Sequence, residues 1–170
     1  MLLKIKNEIE ILGTAEEIWA YASNPANWTA SNPTEHYGLI YDSPDNRPAT
    51  DVTFWQRESV AGIMADLRGH FLYVNHPALA VWRGVATYKL FLGVLRPRIP
   101  EGGVITIVSS GGGMKLSHNV YMDFPDTWFG HLMLYVFKRW MNGEDAVRSH
   151  TFRELEFFKK QIETQCRGKT

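Results

Sequence analysis

Apolar and polar residues alternate over the first segment of the chain, Lys4–Ile11, as is typical of a strand with one buried face. A helix is predicted next, because Thr14 and Glu17 have the spacing of a capping box, in which each side chain satisfies a free backbone amide. This helix must end before Pro25, since proline disfavours helical backbone in the residue that precedes it. One further helical turn is predicted over 24–28.

Strand-like runs occupy the middle of the chain. A short strand is predicted at His36–Tyr41, and five further runs follow it: Asp51–Ser59, Asp66–Asn75, Ala80–Tyr88, Val104–Ser110 and Lys115–Met122. Short turns containing Gly, Pro and Asn separate most of these runs. Consecutive strands with such short connections predict an antiparallel meander.

Two helices are predicted at the end of the chain. Asp126–Met141 is apolar nearly all round, and Asn142 with Gly143 is the expected C-cap. In the second helix, Glu144–Gln165, one apolar stripe contains Thr151, Leu155, Phe158 and Ile162. The sequence contains no repeat and no linker, so we predict a single α+β domain over residues 1–170.

The order of these elements resembles the helix-grip fold of the START-like (SRPBCC) superfamily. The resemblance is carried by Ile9–Thr14, by Asn-Pro-Ala-Asn-Trp at 24–28, and by the closing helix with Glu-Leu-Glu-Phe-Phe-Lys-Lys-Gln-Ile-Glu at 154–163. It covers nearly the whole chain and implies a curved antiparallel sheet wrapped around the last helix. A deep cavity between sheet and helix is the ligand site that this fold implies.

Composition narrows the class of partner. The formal net charge is zero, which argues against nucleic acid as a partner, whereas 13% aromatic residues, including six Trp, favour a cavity or interface built from ring faces. Cys166 is the single cysteine, so a reducing compartment is expected. The charged N-terminus lacks the apolar core of a secretory signal, and no apolar run is long enough to span a membrane. These features predict a cytoplasmic protein.

The parity of the predicted strands indicates which polar residues face the cavity. Glu58 shares the more apolar face of its strand with Phe54, and His118 shares an aliphatic face with Val120. A buried carboxylate needs a partner. The unremarkable alternative for Glu58 is an ion pair with one of the nearby arginines, Arg57, Arg68 or Arg83. His118 could have a catalytic or substrate-binding role, and the simpler alternative is a hydrogen-bonded core residue.

Two further residues, His150 and Glu154, are four positions apart on the last helix and therefore lie on one face. They border the apolar stripe, so both could reach the cavity, although a solvated flank is the simpler interpretation. His36 begins a strand whose parity is ambiguous. Together with Glu58 these residues are two imidazoles and two carboxylates, a mixed ligand set suited to zinc, manganese or iron(II).

A closer resemblance connects these four residues. The diacetylphloroglucinol and phloretin hydrolases of the START-like superfamily hold zinc with His, Glu, His and Glu, and their last two ligands form His-x-x-x-Glu on the C-terminal helix. The resemblance implies His36, Glu58, His150 and Glu154 as zinc ligands, and it implies a substrate-contacting role for His118. Those hydrolases are longer, and the spacing between their first two ligands is wider, so the substrate or reaction could differ.

Two functions follow from these features. The first is a zinc-dependent hydrolase that cleaves a carbon–carbon or related acyl bond of a small aromatic ketone. Its catalytic residues would be His118 and Glu58, and its substrate-binding residues would be His118, Trp82 and Phe54. The second is a metal-free START-like protein that binds a hydrophobic ligand or acts as a polyketide cyclase. In that case Glu58 should pair with an arginine, and His150 and Glu154 should be solvated. The apolar Asp126–Met141 helix suits a pocket lid or a homodimer interface.

Overall fold

The structure is a computed structural model and describes residues 1–168. Its elements in chain order are β1 (Leu2–Ile11), α1 (Ala15–Ala22), α2 (Pro25–Ser31), β2 (His36–Tyr41), β3 (Thr53–Val60), β4 (Ile63–Asn75), β5 (Leu79–Lys89), a 3-10 turn (Phe91–Gly93), β6 (Arg98–Ser110), β7 (Gly113–Asp123), α3 (Trp128–Arg139) and α4 (Gly143–Arg167). The strands form one antiparallel sheet in the order β1-β7-β6-β5-β4-β3-β2. This arrangement confirms the predicted α+β class and the meander.

The core lies between the sheet and α4, which packs against β1, β3 and β7. The predicted stripe of α4 is buried throughout: Thr151, Leu155, Phe158 and Ile162 are each at most 2% exposed. Burial of an apolar side chain of this size stabilises the fold by about 1.5–3 kcal/mol. The stripe therefore fixes the rotation of α4 about its axis, and with it the direction of every polar residue beside the stripe.

Both short helices are capped by side chains, and the cap of α1 is the one that the sequence predicts. Thr14 Oγ1 accepts from the Glu17 amide at 3.2 Å, and Glu17 Oε2 accepts from the Thr14 amide at 3.1 Å. Asn24 caps α2 through the amide of Ala26, and Pro25 is the first residue of that helix. These caps place α2 against β2, so that the end of α2 lies beside the first residue of β2.

Strand β6 begins earlier than predicted, at Arg98 instead of Val104. The residues between are Ile-Pro-Glu-Gly-Gly, which resemble a turn because proline lacks an amide hydrogen and glycine lacks a side chain. In the sheet, however, all five pair with β5, and Glu101, Gly102 and Gly103 also pair with β7. Gly103 is required there because the indole of Trp82 covers it: a Cβ on Gly103 would lie 2.4 Å from Trp82 Nε1.

Helix α3 also differs from expectation. It is shorter than the apolar run Asp126–Met141, and its buried residues are Gly130 and Phe137, whereas Trp128 and Trp140 at its two ends are 78% and 79% exposed. The helix therefore packs against α4 as a partly exposed element, and a homodimer through it stays a prediction. Within residues 1–168, no helix combines the length and the apolar character needed to cross a membrane.

Candidate metal centre

Four side chains from three elements meet at one point between the sheet and α4. His36 begins β2 and is paired directly with Glu58 on β3, while α4 contributes His150 and Glu154. His36 Nε2 lies 2.9 Å from His150 Nε2 and 3.0 Å from Glu154 Oε1. His150 Nε2 lies 3.3 Å from the same Glu154 oxygen. Glu58 Oε2 approaches the two Nε2 atoms at 3.6 and 3.5 Å.

An irregularity in β2 explains why strand parity could not orient His36. The register between β2 and β3 shifts between His36 and Gly38. As a result His36 is buried, and so is Tyr41, although the two residues have opposite parity. A β-bulge inserts one extra residue and therefore reverses the face on which the following side chains lie. The bulge allows His36 and the inward residues after it to share one face.

The hydrogen bonds of the two imidazoles determine which nitrogen faces the centre with a lone pair. His36 Nδ1 lies 2.6 Å from the carbonyl oxygen of Trp28, which can only accept, so this nitrogen donates. His150 Nδ1 donates in the same way to Glu35 Oε2 at 2.6 Å. In the neutral rings both Nε2 atoms therefore point at each other with unprotonated lone pairs. Metal-binding histidines typically have this second hydrogen bond, which fixes the tautomer and the ring orientation.

Such an arrangement needs a cation at its centre, because two nitrogen lone pairs and two carboxylate oxygens repel one another at these distances. The cation can be a metal ion or a proton. Ligand atoms about 2.0–2.2 Å from a tetrahedral zinc ion are about 3.4 Å apart. The contacts among the four residues span 2.9 to 3.6 Å. His36, His150 and Glu154 each offer one ligand atom within 4.8 Å of the others, as a shared metal ion would require, and Glu58 approaches this group through the two imidazoles.

The protons that occupy this centre in the absence of a metal are held tightly. Burial opposes protonation of His150, but the hydrogen bonds and charges of Glu154 and Glu58 outweigh it and raise its pKa to about 11. The pKa of His36 is raised for the same reasons, against the opposing effect of burial. Burial favours the neutral acid of Glu154, yet the imidazoles around it, His118 first, hold its pKa well below the ordinary value. In the absence of a metal, protons on the imidazoles therefore balance the charge of the carboxylates.

Glu35 was not identified from the sequence, although it precedes His36. It lies in the turn between α2 and β2, where its Oε2 also accepts from Asn32 at 2.5 Å and from Arg153 at 3.0 Å. The hydrogen bond and charge of His150, with the charge of Arg153, lower the pKa of Glu35 against the opposing effect of partial burial. No periodic pattern marks a residue in such a turn, so only its adjacency to His36 could have drawn attention to it.

The centre opens into a cavity of about 90 Å³ between the sheet and α4. The predicted substrate-binding residues Phe54, Trp82 and His118 all line it, and Phe54 and Trp82 pack edge to face with ring centroids 5.7 Å apart. His118 is buried, and its Nδ1 lies 3.4 Å from Glu154 Oε2, close enough for an ion pair but outside hydrogen-bond geometry. These three residues therefore surround the space beside the centre.

The simpler interpretations of Glu58, His150 and Glu154 are wrong: in the part of the chain that the structure describes, Glu58 is not paired with an arginine, and His150 and Glu154 are not solvated. Glu58 accepts from Gln56 Nε2 at 2.8 Å and has no arginine partner among residues 1–168, since Arg57 pairs with Asp66 at 2.7 Å. His150 and Glu154 are 5% and 3% exposed and so do not form a solvated flank. The parity argument for Glu58 and the spacing argument for the helical pair placed these side chains correctly.

A second, larger space adjoins the cavity. It measures about 430 Å³ and lies between α3, the 3-10 turn and the ends of the strands. Its walls are almost entirely apolar and include Phe129, Met133 and Phe137 of α3. Three residues line both spaces: Val60, Tyr88 and Met122. We call the smaller space the inner cavity and the larger one the outer chamber.

The sequence matches no protein-family model and no curated protein. Solved structures, in contrast, superpose over nearly the whole chain. The Zhui aromatase/cyclase from Streptomyces sp. R1128 aligns with a TM-score of 0.71 at 10% identity, covering 98% of this chain and 96% of that one. The chain has the helix-grip fold. A START superfamily protein from Mycobacterium smegmatis aligns with a TM-score of 0.55 at 15% identity, covering 98% of this chain and 99% of its own.

A third helix-grip structure is the di-domain aromatase/cyclase StfQ of the steffimycin biosynthetic pathway. It aligns with a TM-score of 0.67 at 10% identity over 97% of this chain, which spans about half of its length (52%). Superposition at identities this low shows a shared fold and nothing about activity. The chemistry of the site is therefore argued from the residues of this chain. The inner cavity is the space between sheet and C-terminal helix that the helix-grip fold implies.

Proposed function

We propose that this protein is a metal-dependent hydrolase that cleaves an acyl group from a small aromatic ketone in the helix-grip cavity. The observation that carries the proposal is the mutual approach of the two Nε2 atoms. They lie 2.9 Å apart with both Nδ1 atoms already donating elsewhere. Two carboxylates complete the set. A protein that only encloses a hydrophobic ligand has no need for such a cluster, whose burial costs several kcal/mol for each charged group.

The ligands of the metal would be His36, Glu58, His150 and Glu154. A zinc ion held there would act as a Lewis acid that polarises a carbonyl group and lowers the pKa of a water molecule to about 7. The chain itself keeps the ligands in place. The Trp28 carbonyl and Glu35 orient the imidazoles, and Gln56 holds the Glu58 carboxylate at 2.8 Å.

The other cavity residues bind and orient the substrate. A volume of about 90 Å³ is well below the roughly 300–1,000 Å³ of pockets that enclose a drug-sized ligand. It therefore accommodates the reacting carbonyl group but not a whole aromatic ketone. We place the carbonyl in the inner cavity, between Phe54, Trp82 and His118, and the apolar remainder of the molecule in the outer chamber. Rigid placement of the carbonyl beside the centre supplies the orientation that a hydrolytic step needs.

Elemental analysis tests whether the protein binds a metal. The protein is purified without a polyhistidine tag, after growth with zinc and without a chelator. We expect about one zinc per chain in the unmutated protein and a loss of at least tenfold in affinity for His150→Ala, because one of four ligands is gone. His131→Ala is the matched control, since that imidazole is exposed on α3 and pairs with Asp126. Metal-free protein under these conditions would overturn the metalloenzyme proposal.

Activity is tested with diacetylphloroglucinol and phloretin as probe ketones. We expect the zinc-loaded protein to release a carboxylic acid from at least one of them, and we expect His150→Ala to abolish the release while His131→Ala retains it. Failure of the zinc-loaded protein to cleave either ketone, with the expected metal content, would reject the hydrolase reaction and keep the metal site.

A second candidate is a metal-free aromatase/cyclase, which the names of two of the similar structures favour. In that case cavity shape and one or two acid–base residues would fold a polyketide chain for ring closure. The two proposals differ in their response to a chelator: cyclase activity would survive removal of the metal, and hydrolase activity would not.

A further inference from the structure

The wall of the inner cavity contains a buried carboxyl group that the metal centre does not use. Glu101 lies on β6 and is 9% exposed. The hydroxyl of Tyr88, on the neighbouring strand β5, donates to its Oε1 at 2.5 Å. Among residues 1–168, no lysine, arginine or histidine forms an ion pair with this carboxyl group. Both residues line the inner cavity, and Tyr88 also lines the outer chamber.

The surroundings of Glu101 favour the neutral acid. Burial raises its pKa to about 8, because the Tyr88 hydrogen bond offsets only part of the desolvation and the charge of Glu58 adds repulsion. Burial raises the pKa of Tyr88 as well, so the phenol keeps its proton. The groups that face Glu101 are Tyr88 on β5, Glu58 through its charge, and the apolar Met122 paired with it on β7.

A structural role does not account for this acid. The strands β5 and β6 are already joined by a continuous ladder from Leu79 and Thr106 to Thr87 and Arg98. A hydrogen bond from Tyr88 is therefore not needed to hold them together. A buried acid costs stability relative to an apolar residue of similar volume. Carboxyl groups kept neutral by an apolar wall, beside a site that also holds charged groups, are typical of general acids.

We propose that Glu101 is the general acid that protonates the departing ring carbon, with Tyr88 holding its carboxyl group in place. The inference rests on the proposed hydrolase function. In the step, water oxygen bonds to the carbonyl carbon, and the carbon–carbon bond breaks with its electron pair going to the ring carbon. That carbon takes the proton of Glu101. One proton of the water restores the Glu101 carboxyl, and the other remains on the carboxylic acid product.

The same geometry distinguishes Glu101 from His118, the donor expected from the sequence. His118 Nδ1 faces Glu154 Oε2 at 3.4 Å, so this imidazole is directed at a proposed ligand of the centre. Glu101 forms no ion pair among residues 1–168, and the proposed ligand Glu58 acts on it only through its charge. It also lies beside Tyr88, which borders the outer chamber where the apolar body of the substrate is placed. Glu101 itself lines the inner cavity, and its contact with Tyr88 lies toward the side on which the departing ring is placed.

The first test uses Glu101→Gln, whose amide oxygen can still accept from Tyr88, so that a purely structural role is preserved. With diacetylphloroglucinol as probe, we expect kcat to fall about 10²-fold or more, with zinc content and KM nearly unchanged. Tyr88→Phe should lower kcat less, because the acid remains. Glu8→Gln, on the exposed face of β1, is the matched control. Unchanged kcat in Glu101→Gln while the unmutated protein cleaves the probe overturns the inference and leaves the hydrolase proposal intact.

The second test needs no substrate. Infrared spectra of the zinc-loaded protein at pH 7 should contain the carbonyl stretch of a protonated carboxyl group, and this band should disappear in Glu101→Gln but not in Glu8→Gln. A deprotonated Glu101 at pH 7 overturns the inference whether or not either ketone is cleaved. Cleavage of neither ketone by the zinc-loaded protein, with the band present, counts against the hydrolase proposal.

Discussion

Glu35→Gln should weaken zinc binding, because it removes the negative charge behind His150 and keeps an oxygen that can accept the imidazole hydrogen. Glu35 Oε2 lies 2.6 Å from His150 Nδ1 and is held there by Arg153 at 3.0 Å. Loss of such a partner typically costs 10–100-fold in metal affinity, which is about 1.4–2.7 kcal/mol. The Glu35 side chain is 28% exposed, and solvent screens part of its charge. We therefore expect the zinc affinity of Glu35→Gln to be about tenfold weaker than that of the unmutated protein.

Glu35→Ala also removes the acceptor and leaves His150 free to rotate, so a loss nearer 100-fold is expected. Competition against a zinc-chelating dye measures both affinities, and elemental analysis checks the stoichiometry. Glu156→Gln is the matched control, because that residue lies on the exposed side of α4. Affinities of Glu35→Gln and Glu35→Ala within twofold of the unmutated protein would refute the argument that this carboxylate orients His150.

Three further predictions concern protons and packing. Since the pKa of His150 is about 11 without metal, zinc binding at pH 7 should release a proton, and the affinity for zinc should rise about tenfold per pH unit for each proton displaced. Calorimetry in two buffers of different ionisation heat measures this release. A binding heat that is the same in both buffers would contradict the prediction. The raised pKa of Glu101 favours the neutral acid in the fold, so its contribution to stability is complete below pH 4.5 and is lost as the pH rises through about 8. Urea unfolding should show the unmutated protein losing up to about 1.4 kcal/mol per pH unit relative to Glu101→Gln in that window, and parallel curves would refute it. Gly103→Ala should lower the free energy of unfolding by about 1–3 kcal/mol, because its Cβ would meet Trp82, whereas Gly112→Ala, with no neighbour within 4 Å, should be neutral.

Much of the fold follows from local patterns in the sequence. Period-two alternation located the strands, and the capping box of Thr14 and Glu17 located α1. The early start of β6 was missed, because Pro100, Gly102 and Gly103 disfavour a strand wherever no tertiary contact demands one. Here the indole of Trp82 demands a residue without a side chain. Glu101 was missed with this segment, since it lies inside what resembles a turn.

The candidate centre was predictable to different degrees. The helical spacing of His150 and Glu154 determines that they share a face, and the apolar stripe beside them determines that the face is buried. Glu58 was placed by strand parity. His36 could not be placed by parity, because the bulge after it shifts the register. Its assignment depended on the resemblance to zinc hydrolases, and Glu35 was found only from the structure.

The sequence by itself determined the order of the elements, the buried face of α4 and the residue types available for a metal. These properties are local, since each depends on spacing along one segment. Only the tertiary structure decided that His36 and Glu58 on the sheet meet His150 and Glu154 on the helix, with the lone pairs of both imidazoles directed at one point. Convergence depends on the bulge in β2, on the rotation of α4 and on the hydrogen bonds from the Trp28 carbonyl and Glu35. Residues far apart in the chain set all three together, so no single segment encodes them.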